Sequence, residues 1–262
     1  MTSENVTPKE AFEQTGQALL RGVSELAKLH PEIVGNDAAK AFITVFFPIV
    51  GLALGRGTYR LVAGRLPQFA GGYARAFHGD HEKVEEHAKV HQDEPNYYET
   101  MYRSFRQMMD AAEPEVVEAI GYLAGQYTFA GRKPDSHFRR LGRVLCDLES
   151  GDLADLRKLL QGVLPFEVTL KNFGNAALRI GQQSNVSVPN LVVEVEVGDD
   201  FQELGHLPSA ERLFMLLKRE GLGSNLHGGM GMEGRTLASG DETITISFAT
   251  ARAVLATIDP QS

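Results

Sequence analysis

Between Tyr97 and Val163 the apolar residues recur every three or four positions, and three short breaks interrupt them. Tyr97, Met101, Phe105 and Met108 make one stripe, and Val116, Ile120, Leu123 and Tyr127 make the next. Phe138, Leu141, Leu145 and Leu148 continue the pattern, which Leu153, Leu156, Leu159, Leu160 and Val163 close. That spacing lines apolar side chains along one face of an α-helix. The breaks at Glu113-Pro114, Gly131 to Pro134 and Ser150-Gly151 are short, so consecutive helices must lie as antiparallel neighbours. A helical bundle is the fold this part of the chain predicts.

Upstream, Phe12, Leu19, Leu20, Val23, Leu26 and Ala27 predict a helix from Pro8 to about Leu29, with Thr7-Pro8 as its start. After the break "HPEIVGND", the run from Ala41 predicts a second, longer helix that Pro48 kinks and Gly71-Gly72 ends. The texture changes after Leu164-Pro165. "LVVEVEV" (Leu191 to Val197) and "TITISF" alternate as strands do, and between them "SAERLFMLLKREGLG" reads as a helix with a Ser209 N-cap signal and a Gly221 stop. The expected architecture is therefore mainly α. A helical region spans residues 1 to 165, and a smaller α+β, winged-helix-like module spans 166 to 262.

Charge narrows the function. The chain carries 26 basic and 34 acidic residues, which argues against a general electrostatic grip on nucleic acid. The C-terminal module repeats the imbalance, with seven basic and twelve acidic residues from Phe166 to Ser262, so its helix-and-wing order suits protein contact better than DNA reading. With Cys146 as the sole cysteine, no internal disulfide can form, as suits a reducing compartment. The start "MTSENVTPKEAFEQTG" has neither the basic n-region nor the apolar stretch of a secretory signal, and a cytoplasmic setting is expected.

Several short motifs fail on context. "GMGMEG" (Gly229 to Gly234) matches a dinucleotide fingerprint by letters, but follows a helix and precedes a strand, where no helix N-terminus could receive phosphates. "HGGMG" has no accompanying G-x-S-x-G elbow. His87, His91 and Glu94 share one helix face, at a spacing that permits a divalent ion; yet the pattern lacks H-E-x-x-H, and the charge density of "DHEKVEEHAKVHQDE" is that of a solvated helix, so no metal ligand is assigned. Arg139, Arg140 and Arg143 read as the wet face of a helix, and Cys146 as a packed thiol beside its apolar stripe. Neither a cofactor nor a catalytic constellation is expected, and the chain reads as a non-enzyme.

The remaining feature is "AFITVFFPIVGLALGRG", Ala41 to Gly57, which opens with fifteen uncharged residues. Spanning a bilayer core takes roughly 20. Gly51 and Gly55 form a G-x-x-x-G pair, the spacing that lets two helices approach closely. From Ala38 to Gly79 there are five basic residues, Lys40, Arg56, Arg60, Arg65 and Arg75, and no acid. An apolar helix with cationic flanks is drawn to anionic headgroups at about 1 kcal/mol per basic residue. Against that stands a hydrophobic hairpin in the bundle core, its arginines paired with the acidic Asp80 to Glu99 segment. Phe46, Phe47, Gly51, Gly55, Arg56 and Arg60 are the expected interaction residues. The expected partner is another protein or an anionic membrane surface, such as the inner membrane seen from the cytoplasm, and an oligomer is compatible with the pattern.

The layout resembles the abortive-infection alpha family of bacterial proteins, through "FFPIVGLALG", the block "DSHFRRLGRVLCDLESGDLADLRKLL", and "LLKREGLG" with "ITISFATARAVL" behind it. The resemblance implies an apolar helical start, a helical block and a winged-helix-like end. It also implies a non-enzymatic role in phage exclusion, with no catalytic residues to carry over. The alternative reading is a winged-helix transcriptional regulator.

Overall fold

In the computed structural model, the described residues are 59–91, 94–149, 151–169, 175–182, 191–197, 200–224 and 243–259. They form two compact units, Met1–Phe138 and Arg139–Ser262. The apolar run from Ala41 to Gly57, the "GMGMEG" stretch and the expected first helix lie outside the described residues.

The described part of the first unit is helical. α1 (Tyr59–Arg75) runs through Pro67, and α2 is His81–His91. α3 (Pro95–Asp110) and α4 (Pro114–Phe129) each begin on a proline, whose missing N–H is no loss in a first turn. The stripes of α3 and α4 are buried as their period requires, with Met101, Phe105, Met108, Val116 and Ile120 fully enclosed. Gly131, at φ 61, ends α4, its N–H donating to the Thr128 carbonyl.

Gly71 and Gly72 do not end the helical region that precedes them. Both lie inside α1, and Gly72 is there for contact rather than for termination. A Cβ on Gly72 would fall on the Glu118 carbonyl of α4, and one on Gly121 would fall on the Phe69 carbonyl of α1. At Gly125 a Cβ would come within 2.6 Å of the Ala76 Cβ and 2.8 Å of the Tyr73 carbonyl oxygen. Phe69 thus sits opposite Gly121, and Tyr73 opposite Gly125, so α1 and α4 run in the same direction, backbone against backbone. Phe69 also meets Phe105 of α3, ring centroids 5.1 Å apart.

The second unit takes most of α5 (Ser136–Asp147), since the division falls inside that helix. It continues with α6 (Asp152–Val163), a 3₁₀ turn (Leu164–Glu167), strands β1 (Asn175–Gln182), β2 (Leu191–Val197) and β3 (Asp200–His206), helix α7 (Ala210–Arg219), strand β4 (Thr243–Ser247) and helix α8 (Phe248–Ile258). The change of texture at Leu164-Pro165 therefore lies within this unit. The sheet is antiparallel in the order β3-β2-β1-β4, so a three-stranded meander precedes α7 and β4 returns to the free side of β1. Leu178 and Ile180 of β1, Val193 and Val195 of β2, and Ile244 and Ile246 of β4 share the buried face, on which helices pack. On the other face Arg179 pairs with Glu194 directly across the strands.

Side-chain caps fix the helix junctions. Asp135 accepts the Phe138 N–H at 2.9 Å, the Tyr127 hydroxyl at 2.7 Å and the Arg132 guanidinium at 2.8 Å. Burial opposes ionisation of this carboxyl, but the three donors outweigh it and hold its pKa below the usual carboxylate range. Ser247 caps α8 by accepting the Thr250 N–H. Ser209 precedes α7 as expected, but its hydroxyl does not cap; instead its own N–H donates to the buried Asp155 of α6 at 2.9 Å. Asp155→Ala leaves that N–H without its acceptor, and the expected cost is about 1 kcal/mol in urea unfolding of the second unit.

Candidate functional site

Three groupings of polar chemistry emerge. The first surrounds His87, on the one face of α2 that turns inward through Val84 and Ala88. Its Nε2 lies 3.0 Å from the Thr128 carbonyl in the last turn of α4. Because a carbonyl only accepts, this nitrogen carries the proton. Rings enclose the imidazole on several sides: Phe77 at 5.2 Å, Tyr97 at 5.9 Å and Phe129 at 6.4 Å between centroids. His91, one turn along, stands 4.3 Å away and is itself bonded to Glu94 at 2.8 Å. Loss of hydration pulls the His87 pKa below its ordinary value, and His91 adds to this; the Thr128 carbonyl and Glu94 oppose it without cancelling it.

Behind His87 lies a chain of hydroxyls. Tyr73 of α1 bonds Thr128 Oγ1 at 2.7 Å, and Thr128 in turn donates to the Ala124 carbonyl at 3.0 Å. Tyr97 of α3 stands buried beside Tyr73. Burial raises both phenol pKa values far above the ordinary range, so both stay neutral donors. The chain runs Tyr73 to Thr128 to a main-chain carbonyl, which satisfies these buried hydroxyls and ties α1 to α4.

The second grouping lies in the second unit. Arg212 of α7 bonds Glu149, the Asp147 carbonyl and Asp152, the last at 3.2 Å. Arg219 bonds Asp147 and Glu220, and Arg143 of α5 bonds Glu220 at 2.8 Å. Arg140 donates to the Gly221 carbonyl at 3.3 Å, where Gly221, at φ 66, ends α7 as its sequence predicts. Arg140 and Arg143 are thus engaged in joining α5 to the end of α7. Cys146, partly exposed, sits beside the buried row of that helix.

The third grouping is the described part of the acid-free stretch. Arg65 donates to the carbonyls of Met108 and Met109, both at 2.7 Å, at the C-terminus of α3. Arg75 pairs with Glu118 at 3.2 Å and lies over the Tyr122 ring at 4.1 Å. Two of the five cations therefore serve the packing of α1. Arg60 lies in the first turn of α1, and Phe46, Phe47, Gly51, Gly55 and Arg56 lie outside the described residues.

The residues named from sequence are thus partly brought together: His87, His91 and Glu94 form one contact series, each with a bond already assigned. Among the described residues no three His, Cys, Asp or Glu side chains gather as ligands of a metal ion would. Among them also, no helix is long and apolar enough to cross a membrane. Sequence reasoning missed Tyr73, Thr128 and the close-approach glycines; for the latter, the G-x-x-x-G of Gly121 and Gly125 was the available signal. The chain matches no protein-family model, no curated protein and no solved structure.

Proposed function

We propose that this chain is a non-enzymatic interaction protein that acts through the apolar segment Ala41 to Gly57, on an anionic membrane surface or a protein partner. The observation that carries this reading is the state of α1, the helix into which that segment leads. Glycines lock α1 against α4, and Arg65 and Arg75 tie it to α3 and α4. A contact made by the apolar segment is therefore made from a fixed base. Lys40, Arg56 and Arg60 then remain as the cations flanking the apolar run at its two ends.

The resemblance to abortive-infection proteins supports a setting in phage exclusion. Within that reading the C-terminal module is winged-helix-like and serves protein contact. Ser224, just after α7, and Thr245 of β4 exchange backbone bonds of 2.9 and 2.8 Å, which sets the end of α7 beside β4 as the helix-and-strand order of such a module requires. The arginines of α7 are bonded to acids, which weighs against a regulator that grips DNA through that helix.

Flotation with vesicles containing anionic lipid tests the reading. Wild-type protein is expected to float with them, and Arg56→Glu combined with Arg60→Glu is expected to abolish flotation while leaving thermal unfolding unchanged. Capture of a cellular partner that the same double variant abolishes supports the protein-partner arm. Binding to neither leaves the segment as core and removes the proposal, and a salt-dependent shift of duplex DNA at sub-micromolar protein favours the regulator instead.

A further inference from the structure

α2 is held less firmly than its neighbours. Among its described side chains, those turned inward are Val84, Ala88 and the imidazole of His87, while Glu82, Lys83, Glu86, Lys89 and Val90 face solvent. Two small apolar side chains supply little burial energy, so the bond from His87 to the Thr128 carbonyl is a large part of what fixes the helix. The same N–H is present in the imidazolium, so what opposes a charge here is the loss of hydration among the surrounding rings, not the bond itself. Phe77, Tyr97 and Phe129 surround the ring, and among the described residues the titratable groups that face it are Tyr97 from α3, kept neutral by burial, and His91 and Glu94 from its own side.

We propose that His87 is a proton-operated latch: neutral, it docks α2 against the end of α4, and protonated, it lets α2 go. The second imidazole sharpens the response. The His91 ring centroid stands 4.3 Å from that of His87 and adds to what opposes a charge on His87. Release uncovers Phe77, Tyr97 and the inner edge of Phe129, an aromatic surface that the docked helix covers. The sign follows from the environment. The docked state disfavours the charged imidazole, so docking is at full strength above the ordinary histidine range and is lost as the pH falls through it.

Amide exchange followed by mass spectrometry, corrected for intrinsic rates, reads the latch on the wild-type chain. Between about pH 8 and pH 5 the peptide covering His81 to His91 is expected to lose its protection while that covering Val116 to Tyr127 keeps it. His87→Gln, a neutral side chain that still offers a donor to the Thr128 carbonyl, is expected to keep α2 protected at both ends of the range. Constant wild-type protection overturns the proposal, as does an unchanged pH response in the variant. Where the variant fails to fold, proton NMR titration of His87 in the wild type decides: a midpoint below the free-histidine value supports the latch, and one at or above it overturns it.

Discussion

Alanine in place of Gly121 or Gly72 is expected to destabilise the first unit by more than about 3 kcal/mol each, beyond the usual range for overpacking. Alanine at Gly71, one residue away, is expected to stabilise it by about 0.5–1 kcal/mol. The three substitutions add the same methyl group to a helix interior, where alanine is intrinsically better than glycine. What separates them is the space that receives it. At Gly71 nothing lies within 4 Å of the new carbon, so only the propensity gain remains. At Gly72 and Gly121 the new carbon lands on a carbonyl of the facing helix. Backbone cannot rotate away as a side chain can, so α1 and α4 must separate along their length. Separation in turn loosens Phe69 from Phe105 and Tyr73 from Thr128. Urea unfolding of each variant, read through amide exchange of α4, measures the sign and the size. Destabilisation by Gly71→Ala, or neutrality of Gly121→Ala, would show that the two helices do not touch as described.

The same glycines show where the sequence could and could not be read. Gly71-Gly72 looks like a helix stop because glycine is a poor helix former, and propensity is the only signal a single chain offers there. The reason for Gly72 is the Glu118 carbonyl, which arrives from 46 positions downstream. By contrast, Met101, Phe105, Ile120, Leu145 and Leu156 are buried as their stripes predict, since a helix must bury its apolar face whatever the partner. β2 and β4 were legible for a similar reason, their β-branched residues alternating at a period of two. β1 and β3 were not, because alanine, glycine and acidic residues blunt the signal in "NAALRIGQ" and "DFQELGH". Those segments become strands through the neighbours that pair with them. His87 shows both sides of the limit. Its place on one helix face with His91 was readable from spacing, whereas the Thr128 carbonyl and the rings around it come from three other segments.

The cations of the acid-free stretch separate in the same manner, and this yields the second large effect. Arg65→Met is expected to cost about 2–3 kcal/mol, while Arg56→Glu with Arg60→Glu leaves stability unchanged and alters binding alone. The last carbonyls of any helix lack intrahelical donors, and the C-terminal end of the helix is the negative pole of its dipole. No basic residue occupies the last turn of α3. Arg65 supplies the missing charge from α1, reaching the carbonyls of Met108 and Met109 at 2.7 Å each. Methionine has similar length and apolar bulk, so it removes the guanidinium without opening a large cavity. Arg65→Lys is expected to recover part of the loss, because an ammonium keeps the charge but not the planar fork. Urea midpoints of the three variants, at constant slope, resolve these cases. A stability loss in Arg65→Met no larger than that of the Arg56→Glu, Arg60→Glu pair would mean that α3 does not depend on this cap. The assignment of Arg65 to packing would then be withdrawn, while the Arg75 pair with Glu118 would stand on its own.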